Sequence, residues 1–173
     1  MVIWLIGLSG AGKTAIGKEM VKLWKKEESN TVLVDGDEMR GIFQLDRGEK
    51  DYSIESRKLN ADRICQICLW LDKQGINVVC SILSLFESSR EWNRENYSSY
   101  FEVFISVPME KLIERDQKNL YKPALESKTK NVVGVDIPFT PPAKPDLVLD
   151  NSRDQTDMSV FANEIFEKAK QYR

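Results

Sequence analysis

The chain has 173 residues, 42% hydrophobic and 30% charged, which suits one globular domain with a sizeable core rather than a disordered or fibrous chain. A formal net charge of −2 argues against a general polyanion binder, so nucleic acid is not an expected partner and phosphate chemistry must use local clusters of Lys and Arg. Histidine is absent, which removes the commonest general base and leaves catalysis to carboxylates, lysine, arginine and metal.

The chain opens on an apolar run, VIWLI, that predicts a strand over residues 2–6. GLSGAGKT follows at residues 7–14, and a helix is expected over 13–26. The pattern G-x-x-x-x-G-K-T between a strand and a helix is a P-loop, whose backbone N–H groups converge on phosphate at the positive end of the helix. Gly7, Ser9, Gly10, Ala11, Gly12, Lys13, Thr14 and Ala15 are the expected contacts to ATP, with Lys13 reaching the β- and γ-phosphates and the Thr14 hydroxyl ligating Mg²⁺.

A strand over residues 31–34 precedes Asp35-Gly36-Asp37-Glu38-Met39-Arg40, with a short helix starting at Asp37. Two readings stay open here: carboxylates facing the loop's phosphates from a strand's carboxyl end, or a surface turn with Asp37 as helix N-cap. In the helix predicted over 53–74, Arg57, Asn60 and Arg63 recur at i, i+3 and i+6, either clamping an anion or forming a solvated face. The same helix carries Cys65 and Cys68; with Cys80 they make an odd three, read as reduced core thiols rather than a disulfide framework or zinc site.

A strand over 77–80, a helix over 87–97, a strand over 101–107 and a helix over 109–115 continue the βα alternation. Residues 116–146 break it: they are proline-rich, carry Lys118, Lys122, Lys128, Lys130 and Lys144, and read as a lid over an active site. A strand over 147–149 and a helix over 155–172 end the chain. The order predicts a single α/β domain over 1–173, a P-loop three-layer fold with a mostly parallel five-stranded sheet between helices. The longest apolar runs, such as 76–83, are interrupted by Asn77 and Ser81 and fall short of the roughly 20 residues of a membrane span. With no leader pattern at the N-terminus, a cytoplasmic location is expected.

The loop alone does not name a reaction, because GTPases, motor ATPases and small-molecule kinases share it. The chain lacks an N-K-x-D guanine-reading motif, which weakens the GTPase reading. Cys80-Ser81 ends the third strand without an Asp, so Mg²⁺ would lean on Thr14, phosphate and water, with support from Asp35.

Asp35-Gly36-Asp37 with Arg40, the Arg57/Asn60/Arg63 spacing, Arg115-Asp116-x-Lys118-x-Leu120-Tyr121-Lys122 and Asn131-x-x-Gly134-x-Asp136-x-Pro138 occur in the order and approximate spacing of adenylylsulfate (APS) kinases. The chain resembles that family over nearly its whole length. The resemblance implies a kinase, generally dimeric, that moves the γ-phosphate of ATP to the ribose 3′-hydroxyl of a nucleotide, adenosine 5′-phosphosulfate in most members. By the same resemblance Asp37 is the base or hydroxyl-orienting group, and Arg40, Arg57 and Asn60 hold the acceptor's anionic bridge. Asp35, Ile82, Ser84, Leu85, Lys118, Leu120, Val132 and Gly134 complete the acceptor side.

Departures gather on that acceptor side. Asn131-Val132-Val133-Gly134 stands where members carry Asn-Phe-Thr-Gly, and Ser81-Ile82-Leu83-Ser84-Leu85-Phe86 where many carry Ser-Phe-Ile-Ser-Pro-Tyr. Glu87 replaces a family Arg, and Asp136-Ile137-Pro138-Phe139 replaces Asp-Asp-Pro-Tyr. An acceptor site with aliphatic walls is the expectation. In this the chain looks like the family branch of bacterial capsule biosynthesis that phosphorylates cytidine diphosphoramidate. An ordinary APS kinase, a non-catalytic ATP-binding regulatory module and a kinase for a sugar-like alcohol are the alternatives.

Overall fold

In the computed structural model, which describes residues 1–44, 51–116, 118–153 and 156–172, the N-terminal apolar run forms β1 (Val2–Ile6), buried at every residue. Strand alternation sends Ile3 and Leu5 into one hydrophobic cluster and Val2, Trp4 and Ile6 into another, so helices must cover both faces of the sheet. They do so through α1 (Lys13–Trp24), β2 (Thr31–Asp35), α2 (Gly36–Ile42), α3 (Ile54–Lys73), β3 (Asn77–Ile82) and α4 (Glu87–Asn96). The chain continues with β4 (Tyr100–Ser106), α5 (Met109–Arg115), α6 (Tyr121–Leu125), β5 (Leu147–Asp150), α7 (Ser159–Ala169) and a closing 3-10 turn, Lys170–Tyr172.

The sheet runs β2-β3-β1-β4-β5 with every neighbouring pair parallel. One layer packs α1 and α7 on Ile3, Leu5, Val103 and Ile105, with Trp24 edge-on to Phe166 at 6.1 Å between ring centroids. The other sets Ile64, Cys65 and Cys68 of α3 against Val78, Cys80 and Trp4. The three cysteines are buried and free, and burial pushes the Cys65 thiol up to about 12, as suits core thiols. Among the described residues no helix is long and apolar enough to cross a membrane.

Three local details differ from the sequence expectation. The lid region holds a helix, α6: the Asp116 carboxylate accepts the N–H groups of Leu120, Tyr121 and Lys122, and Pro123 falls in the first turn, where its missing N–H costs nothing. Asp35, not Asp37, caps α2, its carboxylate accepting the Asp37 N–H at 3.0 Å. The last helix begins at Ser159; the expected start at Gln155 lies outside the described residues.

Candidate active site

The P-loop leaves β1 at the carboxyl edge of the sheet. Gly10 and Gly12 adopt φ of 80° and 101°, backbone that side chains rarely tolerate, and a Cβ on Gly7 would stand 2.8 Å from the Ile105 carbonyl oxygen. Gly7 and Ala11 are buried beneath the loop, whereas Ser9, Gly10, Gly12, Lys13, Thr14 and Ala15 line a cavity of about 780 Å³. The Lys13 ammonium donates to the Leu8 carbonyl at 2.8 Å. Burial and the nearby Lys118 charge bring its pKa down to about 8, against the opposing pull of Asp37 and Asp35. The Thr14 hydroxyl donates to Asp35 Oδ2 at 2.7 Å, which places two hard oxygen ligands side by side at the edge of the cavity, a donor set that fits Mg²⁺.

Freed from the capping role, Asp37 projects from the first turn of α2 and pairs with the Lys118 ammonium at 2.5 Å. Burial alone would raise the Asp37 pKa, but the hydrogen bond and charge of Lys118, with Lys13 and Arg40, outweigh it and hold the carboxyl below its usual range. Asp37 is therefore ionised and suited to accepting a hydrogen bond from a hydroxyl rather than to storing a proton.

Behind Asp37 a smaller pocket of about 70 Å³ is walled by Arg40, Tyr52, Arg57, Asn60, Ile82 and Leu85, and shares Gly36, Asp37 and both arginines with the large cavity. Arg40, only 6% exposed, donates to the Asp51 carbonyl and to Ser56 Oγ; Arg57 donates to the carbonyls of Tyr52 and Asn131. Both guanidinium groups lie over the Tyr52 ring, at 4.8 and 5.4 Å from its centroid. Burial and the facing Arg40 charge lower the Arg57 pKa, so this pocket carries positive potential that an anion would relieve. Asn60 Nδ2 reaches the Gly36 carbonyl at 3.4 Å, while its buried Oδ1 has no partner.

The aliphatic Ile82, Leu85 and Val132 line these spaces, and the small pocket also contains the aromatic Tyr52 and Phe86. Val132 is 2% exposed, fastened by Asp136, whose carboxylate accepts the N–H groups of Asn131 and Val132. Ser84 lines the small pocket, yet its hydroxyl accepts from Trp4 Nε1 at 3.0 Å. Leu120 and Lys118 line the large cavity. Gly134 does not line either one: it turns at φ 94° against Met109 and Leu8. Arg63 stacks on Phe43 instead of joining Arg57, because six residues leave a helical side chain about 120° off the starting face. Glu87 is exposed in the first turn of α4, outside both linings. Sequence reasoning missed Tyr52 and Lys18 of the cavity wall, while Lys130 and Asn131, read there as lid residues, line it together with Thr129.

A P-loop at the carboxyl edge of a parallel sheet, opposed across one cleft by an ionised carboxylate and two arginines, defines a small-molecule P-loop kinase. A sequence model of the family described as adenylylsulphate kinase matches residues 1–150, and the chain belongs to that family of phosphotransferases acting on a hydroxyl. Cytidine diphosphoramidate kinase of Campylobacter jejuni subsp. jejuni serotype O:2 is 39% identical over 151 residues, covering 87% of this chain and 86% of its own. Adenylyl-sulfate kinase of Pseudomonas aeruginosa is 34% identical over 161 residues, covering 92% and 81%. The structure of the Mycobacterium tuberculosis APS kinase in complex with AMPPNP and APS superposes with a TM-score of 0.83 at 28% identity, covering 98% of this chain and 96% of that one.

Proposed function

We propose that the chain transfers the γ-phosphate of ATP to the ribose 3′-hydroxyl of cytidine diphosphoramidate, in the cytoplasm, as a homodimeric enzyme of capsular phosphoramidate biosynthesis. The observation that carries the kinase reading is the cleft in which Lys13 and the loop face Asp37, Arg40 and Arg57, with Asn60 in the pocket behind it. The narrow acceptor pocket and aliphatic Ile82, Leu85 and Val132 favour a small pyrimidine over adenine, in line with the 39% identity to the Campylobacter enzyme. An acceptor of adenosine 5′-phosphosulfate is the second reading, favoured by the 34% identity to the Pseudomonas enzyme and by the aromatic face of Tyr52.

In this proposal the loop amides and Lys13 stabilise charge on the transferring phosphoryl group, and Thr14 with Asp35 would hold Mg²⁺. Mg²⁺, when bound, offsets phosphate charge. Asp37 aims the ribose hydroxyl in line, Arg40 and Arg57 fix the diphosphate-like bridge, and the 116–146 region excludes water, which otherwise competes as acceptor. Comparison of kcat/KM for cytidine diphosphoramidate and APS tests it. The loss of one aromatic partner predicts a preference for the cytidine compound of about tenfold or more. A preference for APS overturns the acceptor assignment, and ATP binding without transfer to either overturns the kinase reading.

A further inference from the structure

For backbone N–H groups to converge on a phosphate, the carbonyls between them must point outward, and each buried one needs a donor of its own. In this loop the Leu8 carbonyl accepts from Ala11 N–H and from Lys13, and the Gly12 carbonyl accepts from Ile16 N–H at 3.0 Å. Those donors come with the P-loop and its helix. Of the three carbonyls between, two are held from far away: Ser9 O accepts the Tyr121 hydroxyl at 2.7 Å from 112 residues on, and Ala11 O accepts Asn151 Nδ2 at 2.9 Å from 140 residues on.

We propose that Tyr121 and Asn151 are positioning residues that set the shape of the donor-phosphate cradle, an inference resting on the donor role assigned to the P-loop above. Neither donor is free to wander. Tyr121 is 2% exposed, and its helix is started by the Asp116 carboxylate through three backbone N–H groups at 2.7, 2.9 and 3.1 Å. Asn151, also 2% exposed, is tied through its N–H to the Ser106 carbonyl at 3.0 Å and through its carbonyl to Arg115 at 2.8 Å. Its amide nitrogen approaches so closely that a Cβ on Gly12 would lie 2.8 Å from it. Only the nitrogen end of the amide can face the Ala11 carbonyl, and this orientation leaves Asn151 Oδ1 buried without a partner. A side chain kept at that cost to its own hydrogen bonding is placed for the loop. Lys13, by contrast, must give up Leu8 to reach a phosphate, so its bond cannot be the lasting support.

The test compares full-length wild type, Tyr121→Phe and Asn151→Ala by calorimetric ADP titration, by KM for both substrates and by thermal melting. Each variant is expected to lose about three- to tenfold in ADP affinity, with KM for ATP rising in parallel. KM for the acceptor and kcat at saturating ATP stay within about twofold. A residue that only stabilises the fold moves both KM values together with the melting temperature. Tyr121→Phe, which keeps the ring in its packing, decides the matter if Asn151→Ala folds poorly. Unchanged ADP affinity in Tyr121→Phe, or parallel rises in both KM values, overturns the positioning role alone. Wild type that binds no ADP overturns the donor-site reading and this inference with it.

Discussion

Lys13 carries its charge against the environment that surrounds it. Burial and Lys118 bring its pKa from 10.5 to about 8, despite Asp37 and Asp35. Between those two values the unfolded chain keeps a proton that the folded chain has released, so the contribution of Lys13 makes the free protein more stable as pH rises through that window. A bound polyphosphate reverses the balance, because its charge favours the ammonium and draws a proton from solvent. ADP titrations near pH 8.5, in two buffers of different ionisation heat, should report uptake of about half a proton or more. The uptake should be absent from Lys13→Met at concentrations that still give binding. Asp37 is the opposite case: Lys118 and its cationic neighbours outweigh burial and keep it ionised. Asp37→Asn retains one oxygen able to accept the acceptor's hydroxyl but loses the charge that orients it, so kcat should fall by roughly 10²-fold, with ADP affinity unchanged. An unchanged kcat reduces Asp37 to a structural residue of α2.

Elements differed in how far the sequence revealed them. GLSGAGKT between an apolar run and a helix was readable because the phosphate nest imposes glycine at fixed positions, and Gly10 and Gly12 do adopt positive φ. The five residues of α6 were too few for a periodic pattern; the readable signal was Asp116 ahead of Pro123, a cap and a first-turn proline. Tyr52 was missed for another reason. It precedes α3 without belonging to a motif, and only the packing of α2 on α3 brings Arg40 and Arg57 onto its ring. That placement gives a prediction at the level of the α2–α3 corner. If the ring is the stacking face for the acceptor's base, Tyr52→Leu should raise acceptor KM by roughly 5- to 100-fold while KM for ATP stays put, and Tyr52→Phe should restore it. Equal effects of Leu and Phe would assign the contribution to the tyrosine hydroxyl instead.

At the scale of the molecule, the βα alternation and the two-faced burial of β1 made a parallel sheet legible, because a strand covered on both sides reads as a continuous apolar run. The order β2-β3-β1-β4-β5 was not, since strand neighbours are set by which helix packs where, not by any one strand's residues. That order gathers the proposed donor site from distant parts of the chain: the loop after β1, Asp35 at the end of β2, Tyr121 of α6 and Asn151 after β5. A ligand held there is lost when any of these elements unfolds, so binding should protect the whole domain rather than one loop. ADP at about 100 times its Kd adds about 2.7 kcal/mol to unfolding, which in a chain of this size raises Tm by roughly 5–11 °C. Lys13→Ala should lose most of that rise, yet its ligand-free Tm at neutral pH should be no lower than wild type, because the buried ammonium is gone. A ligand-free variant that melts well below wild type would make Lys13 a structural residue, and a wild-type Tm indifferent to ADP would mean that these elements do not share one donor site.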